Sequence, residues 1–403
     1  VSFSLPKVEV PSGEHSSRIH SLRRQMERCR IDVIVLTDQA NIEYFLGYHT
    51  LTWAYKARPL FAVISDCNQT LVASRTEVRN VEHSPGEFQA VYYAGYLSDA
   101  CRTLSDVIAS HAPGELVIAV DYGQDFFGRG SLALIDVLTA AAAPKPLVPA
   151  GTAIWPVRQI KSPYEVSQKT LAFSIVNRAF DQVIGAAEPG MTEREMHNRL
   201  QAACFEHGAE TASPIAMNFG RGEFVYNRPP GGRKLQDGDY VWTDFRATFG
   251  GYPADRNRIA RAGDPPAWER DVYGRVRAVT IELAESVKPG ETTGMVFDRY
   301  LKLWEGAGLP ETYRYLNRIG HGGGLDVTEP PSIARDGDEV LKYGMILHFE
   351  PKLELDGAVF QFEEVVYLTD TGVEFISELS PDAIPVVHAA QASAYAAGQD
   401  GAQ

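Results

Sequence analysis

Two aspartates set eleven positions apart constrain this chain more than any other feature. In the stretch TDFRATFGGYPADRNRIAR, Thr243 to Arg261, Asp244 and Asp255 lie on two runs that read as neighbouring strands joined by a tight Gly250-Gly251 turn. A β-hairpin sets such residues side by side, so the two carboxylates converge on one point. Carboxylates that close repel, and they must share a proton or a cation. The same half of the chain adds His321, Glu350 and Glu363. Glu350 in GMILHFEPKL and Glu363 in VFQFEEVVYLT are embedded in apolar strand sequence, where an unpaired buried charge is costly. Four carboxylates and one imidazole form a hard, oxygen-rich set suited to Mn, Fe, Co or Zn, and they exceed the needs of one small ion. Two metals bridged by shared carboxylates is the economical reading.

Taken singly, each residue has an ordinary role open to it. Asp244 can be a strand-end turn residue, Asp255 half of an ion pair with Arg256 or Arg258, and His321 a structural imidazole among the four glycines of RIGHGGGLD. The five together, in one chain order, carry the metal reading.

The remainder of the sequence frames that site. At 403 residues the chain exceeds one ordinary core, and two domains are expected. A net charge of −14 argues against nucleic acid or an anionic membrane as partner. Cys29, Cys67, Cys101 and Cys204 are widely spaced with no CxxC pairing, which fits a reducing cytoplasm rather than a disulfide framework or zinc ribbon. The opening VSFSLPKVEVPSGEHSS lacks a signal pattern and reads as a loose arm, and no apolar run approaches a membrane span. The protein is therefore read as cytoplasmic. No repeat of fixed period is visible.

From Arg18 the chain alternates helix-spaced and strand-like apolar runs: Ile19, Leu22 and Met26, then Val33 to Leu36, a short helix ending at Gly47, and further strands with helices over Ser105 to His111 and Ser131 to Ala142. That is an α/β domain with a mixed sheet. DYGQDFFGRG is too irregular for a phosphate loop, and this domain is assigned no chemistry. The Pro-rich stretch PKPLVPAGTAIWPVRQIKSPYE marks the boundary, giving domains over residues 1–156 and 157–403. Ser162 with Glu165, and Thr192 with Glu195, are capping boxes that start two helices. Two more helices are expected, over Pro265 to Val287 and Thr293 to Ala307.

RQIKSPYE, PGMTEREM, LQDGDYVWTDF, D-x-x-R at Asp255 to Arg258, GHGGGLDVTEPPS, LKYGMILHFEP and FEEVVYLTDTG carry a family likeness. Over about Arg158 to Pro385 the chain resembles the pita-bread metallohydrolases, the family of methionine aminopeptidase, aminopeptidase P, prolidase and creatinase. RIDVIVLTDQANIEYFLGY resembles the creatinase-type N-terminal domain. The fold class implied is α/β (α+β), a creatinase-type N-terminal α/β domain followed by a pita-bread catalytic domain, in a homodimer. By resemblance Asp244 holds one metal, Asp255 and Glu363 bridge both, and His321 and Glu350 complete the second. Glu364 is the non-ligand neighbour, since successive strand residues face opposite ways. The implied reaction is hydrolysis of a C–N bond, Xaa-Pro peptidase-like, by attack of a metal-bridging hydroxide, with Glu350 relaying a proton to the departing nitrogen.

The chain departs from the family's peptidases at substrate-contacting positions. Asn227 and Thr328 stand where those carry histidine, and Gln361 stands where arginine is common. Amide and hydroxyl groups can bind a substrate but cannot supply an imidazole's proton near pH 7. His348 either points into the pocket beside Glu350 or packs behind it; a histidine there is similar to the ectoine-hydrolase branch. Asp326 and Glu329 flank Thr328 and either orient a substrate or form loop ion pairs to Arg258 or Arg318. The substrate is accordingly a short peptide or a small molecule. The alternatives are a creatinase- or ectoine-hydrolase-like amidohydrolase, a dimethylsulfoniopropionate-type lyase, or a non-catalytic binding protein on the same fold.

Overall fold

The computed structural model describes residues 10–388 apart from 56, 112–113, 124–125, 128–130, 223 and 312–316. Positions 1–9 of the expected arm, and part of DYGQDFFGRG, lie outside the described residues. The chain divides into two compact units, one ending at Ile160 and the other taking up from Lys161.

In the first unit, α1 (Glu14–Cys29) turns Ile19, Leu22 and Met26 inward, and β1 (Val33–Leu36) is buried at every residue. Helix α2 (Gln39–Leu46) starts where the Asp38 carboxylate accepts the Ala40 and Asn41 amides, and it ends on Gly47 at φ 65°. There follow β2 (Phe61–Ile64), β3 (Gln69–Ser74), α3 (Val78–Glu82), β4 (Gln89–Tyr93), α4 (Leu97–His111), β5 (Ile118–Val120), the short β6 (Tyr122–Gly123) and β7 (Phe126–Phe127), α5 (Leu132–Ala142), β8 (Val148–Pro149) and α6 (Gly151–Arg158). The sheet runs β4-β3-β2-β1-β5-β8 and is mixed: β1 and β3 flank β2 antiparallel, and the outer pairings are parallel. Two elements differ from the sequence reading. Helix α4 begins eight residues early, because Ala100, Cys101 and Leu104 extend its buried stripe backwards. The Pro-rich boundary contains α6, with Pro156 inside the helix and Ile154, Trp155 and Val157 buried.

The second unit opens with α7 (Pro163–Gly185) and α8 (Glu193–Glu206), each begun by a closed capping box at Ser162/Glu165 and Thr192/Glu195. Strands β9 (Ile215–Gly220), β10 (Tyr240–Phe245) and β13 (Arg256–Ala262) form an antiparallel core extended by β21 (Val386–Val387). Between β10 and β13 a small hairpin, β11 (Thr248–Phe249) and β12 (Tyr252–Pro253), turns at Gly250 and Gly251 with φ 59° and 78°. The glycine turn therefore closes a nested hairpin rather than the main pair, and Asp255 sits just ahead of β13 rather than within a strand. Helices α9 (Ala267–Ser286) and α10 (Thr293–Gly306) come next. A second sheet follows, ordered β15-β14-β16-β19-β20, from β14 (Arg318–Gly322), β15 (Glu329–Ala334), β16 (Ile346–Phe349), β19 (Glu364–Leu368) and β20 (Val373–Phe375), with β17 (Lys352–Leu355) and β18 (Ala358–Gln361) as a separate hairpin. Phe173, Val176 and Phe180 of α7 pack with Met196 and Leu200 of α8 on Met217, Val241 and Ala260.

This unit contains an internal repeat that no periodicity announces. Pro189-Gly190-Met191-Thr192 and Pro289-Gly290-Glu291-Thr292 each cap a helix through the threonine hydroxyl. The Gly190 amide donates to Leu235 O at 2.7 Å and the Gly290 amide to Leu341 O at 2.8 Å, so each loop docks ahead of a buried strand, β10 or β16.

Candidate metal centre

The ladder places the acidic residues. Strands β10 and β13 pair with Asp244 opposite Asn257, so Asp255 falls just outside the ladder and turns back to share a hydrogen bond with Asp244. In the second sheet His321 of β14 faces His348 of β16 directly. Glu350 follows the end of β16, and Glu363 precedes β19.

The Nδ1 of His321 lies 2.8 Å from Gly322 O, an acceptor only, so Nδ1 carries the proton. Its Nε2 lone pair then faces Asp255 Oδ2 at 3.6 Å and Glu350 Oε1 at 3.5 Å, the tautomer a metal-ligating imidazole needs. His348 Nδ1 stands 2.6 Å from Glu363 Oε1, and Glu363 Oε2 accepts the Asn257 amide at 2.8 Å. The two imidazoles stack with centroids 4.8 Å apart and planes at 18°. Donor atoms of Asp255, His321, His348 and Glu363 all fall within 4.8 Å of one another.

Burial, with the carboxylates crowding one another, pushes Asp255 and Glu363 well above the usual carboxylate range, and Asp244 upward as well. Burial also raises Glu350, against the opposing pull of Arg318 and Lys352. It pushes His321 down to about 4 and His348 well below its ordinary value. Acids that resist ionising and imidazoles that resist protonation both want a cation among them. The residues present therefore fit divalent metal ions by donor type, convergence and electrostatics.

The surroundings explain how so much acid is tolerated. Lys169, on the buried face of α7, donates to Pro253 O at 2.8 Å; burial lowers its ammonium to about 8, while Glu329, Asp255 and Glu363 pull the other way. Lys161 and Glu329 form a buried ion pair at 2.9 Å. Lys352 lies 3.4 Å over the Tyr226 ring and 5.0 Å over Trp242, and burial lowers it to about 8. Trp242 Nε1 donates to Gln361 Oε1 at 2.9 Å, and Gln361 Nε2 donates to Glu350 O at 3.3 Å. Arg258 donates to the carbonyls of Asn257 at 3.0 Å and Glu378 at 3.2 Å, and Arg256 to those of Glu363 and Glu378. The arginines thus brace backbone, and among the described residues neither forms an ion pair with Asp255.

Asp244, Asp255, His321, Glu350 and Glu363 are brought together, with His348 on Glu363 and Gln361 on Glu350. Asn227, Thr328 and Asp326 are exposed instead of packed on the cluster. Glu364 turns to the opposite side, where it accepts from the Ser380 amide at 2.9 Å. Glu329 pairs with Lys161 rather than with Arg258 or Arg318. Lys169, Lys161 and Lys352 escaped the sequence reading. The one available signal was Lys169 itself, a charge on the same helical face as Ala172, Phe173 and Val176.

Comparison with known proteins identifies the family and the fold. Residues 170–370 match metallopeptidase family M24, and residues 18–160 match the creatinase/prolidase N-terminal domain. An uncharacterized peptidase of Staphylococcus saprophyticus is 24% identical over 367 residues, 89% of this chain and 99% of the relative. Dipeptidase PepE from Mycobacterium ulcerans superposes with a TM-score of 0.81 at 22% identity, covering 94% of this chain and all of that one. A Xaa-Pro dipeptidase from Bacillus anthracis gives 0.79 at 21% identity, covering 92% and 99%. These last two likenesses establish the fold.

Proposed function

We propose that this chain, which belongs to metallopeptidase family M24 and is a metal-dependent hydrolase, holds two divalent ions and cleaves the C–N bond of a short peptide, Xaa-Pro dipeptides being the first to try. The convergence of four carboxylates with the Nε2 of His321, all deep in one unit, carries this reading. Asp244, Asp255, His321, Glu350 and Glu363 would hold the ions, whose identity we leave among Mn, Fe, Co and Zn. Bound there, the ions supply Lewis acidity toward water and toward the scissile carbonyl. Glu350 keeps 17% of its side chain exposed against 1% for Glu363, so of these two glutamates it is the one a departing nitrogen reaches, and it serves as proton carrier. Gln361 holds it through the backbone contact, and Lys352, fixed on Tyr226 and Trp242, supplies a nearby positive charge. In this reading residues 157–403 do the chemistry.

A small amide is the second reading. Its support is that Asn227 and Thr328, an amide and a hydroxyl, stand at the positions where the family's peptidases place an imidazole. We further propose a homodimer, supported by Leu51 and Tyr55 of the first unit, 90% and 60% exposed. A reducing, cytoplasmic setting fits the free state of all four cysteines. Among the described residues no helix is long and apolar enough to cross a membrane.

Elemental analysis of the parent and of Asp244→Ala, run beside proline release from Xaa-Pro dipeptides, tests the reading. About two equivalents in the parent, with loss of metal and of proline release in the variant, is the expected result. Metal without proline release moves the substrate to small amides, an alkene product would make the enzyme a lyase, and a folded parent that refuses Mn, Fe, Co and Zn defeats the mechanism.

A further inference from the structure

We infer that His348 is a positioning residue of this centre: it fixes Glu363 by a hydrogen bond and His321 by stacking, without itself ligating metal. The inference rests on the metal-centre reading above. His348 is fully buried in the middle of β16, between Phe173 at 5.9 Å and His321 at 4.8 Å. At 2.6 Å from Glu363 Oε1, its Nδ1 makes a short contact, and once Glu363 is ionised, as a metal ligand must be, Nδ1 is the donor. Because Asn257 N holds the other oxygen, Glu363 is gripped at both ends before any cation arrives.

The remaining Nε2 then bears a lone pair, and it has no hydrogen-bond partner among the described residues. It lies on the edge of the ring away from Glu363. A Cβ built on Gly323 would stand 2.6 Å from this nitrogen and 3.2 Å from Lys169 Nζ, so Nε2 points at bare backbone beside an ammonium. A metal would meet repulsion there, whereas at Nδ1 the site is already taken. A side chain at Gly323 would meet this edge of the ring, so the glycine leaves the room that the ring occupies when it reaches Glu363.

Outer partners of this kind typically change metal affinity by about 10–100-fold. His348→Phe keeps the ring and its stacking but removes the donor, His348→Asn restores a donor near Nδ1, and Gly323→Ala displaces the ring while leaving His348 intact. Calorimetric titration of each chelator-treated protein with MnCl2 or CoCl2 should show the first equivalent weakened about 10–100-fold in His348→Phe and in Gly323→Ala, with most of the loss regained in His348→Asn. The visible spectrum of the Co(II) form should shift in the first two and stay near the parent's in the third. Unchanged affinity and spectrum in both His348→Phe and Gly323→Ala would reduce His348 to packing. X-ray absorption showing two imidazole nitrogens on the metal in the parent would make it a ligand and overturn the positioning role. A parent that binds neither ion removes the metal centre itself, an outcome distinct from a parent that binds and variants that do not differ.

Discussion

Burial makes each proposed carboxylate ligand harder to ionise and His321 harder to protonate, and this gives the centre a defined pH response. Asp255 and Glu363 have raised values, so without metal the folded chain keeps protons that the unfolded chain releases near pH 4; their penalty is absent below that range and grows as pH rises. His321, lowered to about 4 from 6.5, works in the opposite sense, and its contribution is lost as pH falls from about 6.5 toward 4. A cation needs all of these groups deprotonated, so binding releases protons and tightens with pH on both counts. Mn titrations at about pH 5.5 and 7.5, in buffers of different ionisation heat, should show tighter binding at the higher pH with net proton release; equal affinity without release would contradict the assignment of ligands. Lys161 and Glu329 make a second case, because both side chains are 1% exposed. Lys161→Met removes the ammonium that faces a buried carboxylate and should cost about 3–5 kcal/mol in urea unfolding, whereas the joint Lys161→Met, Glu329→Leu protein should recover part of it.

At the scale of elements, helix starts were the best-read features. Both capping boxes close as their sequences imply, and Ser162→Ala should lower unfolding stability by about 1 kcal/mol while leaving metal stoichiometry intact. A larger loss, or lost metal, would mean that α7 also sets the position of Lys169 through its first turn. Strand identity was legible from apolar runs, but strand register was not. The Gly250-Gly251 turn belongs to the nested β11–β12 hairpin because Asp244 pairs with Asn257, a choice fixed by the partners of β10 on both sides. A valine at Gly250 would need φ near 59° and would drive its Cβ into Gln168 Oε1, so Gly250→Val should destabilise the hairpin beside Asp255 and weaken metal binding, as read by titration.

At the scale of the molecule, each unit has its own apolar core, one built around Val33, Val63, Leu104 and Ile118 and the other around Phe173, Met196, Val241 and Val365. The proposed metal ligands all belong to the second. Calorimetry with and without Mn should therefore resolve two transitions, of which only one rises with metal; a single transition moving as a whole would show that the cores unfold together. The sequence by itself determined the alternation of elements, the helix caps, the type and chain order of the five acidic and imidazole groups, and the family likeness, because those depend on local spacing and residue chemistry. Only the tertiary structure decided what stands against them. Lys169 meets Pro253 across 84 positions, His348 meets Glu363 across 15 and Lys161 meets Glu329 across 168. Periodicity tells which face of an element is buried, but the partner of a buried charge is chosen by the packing of distant segments, and that choice sets the protonation and hold of every ligand.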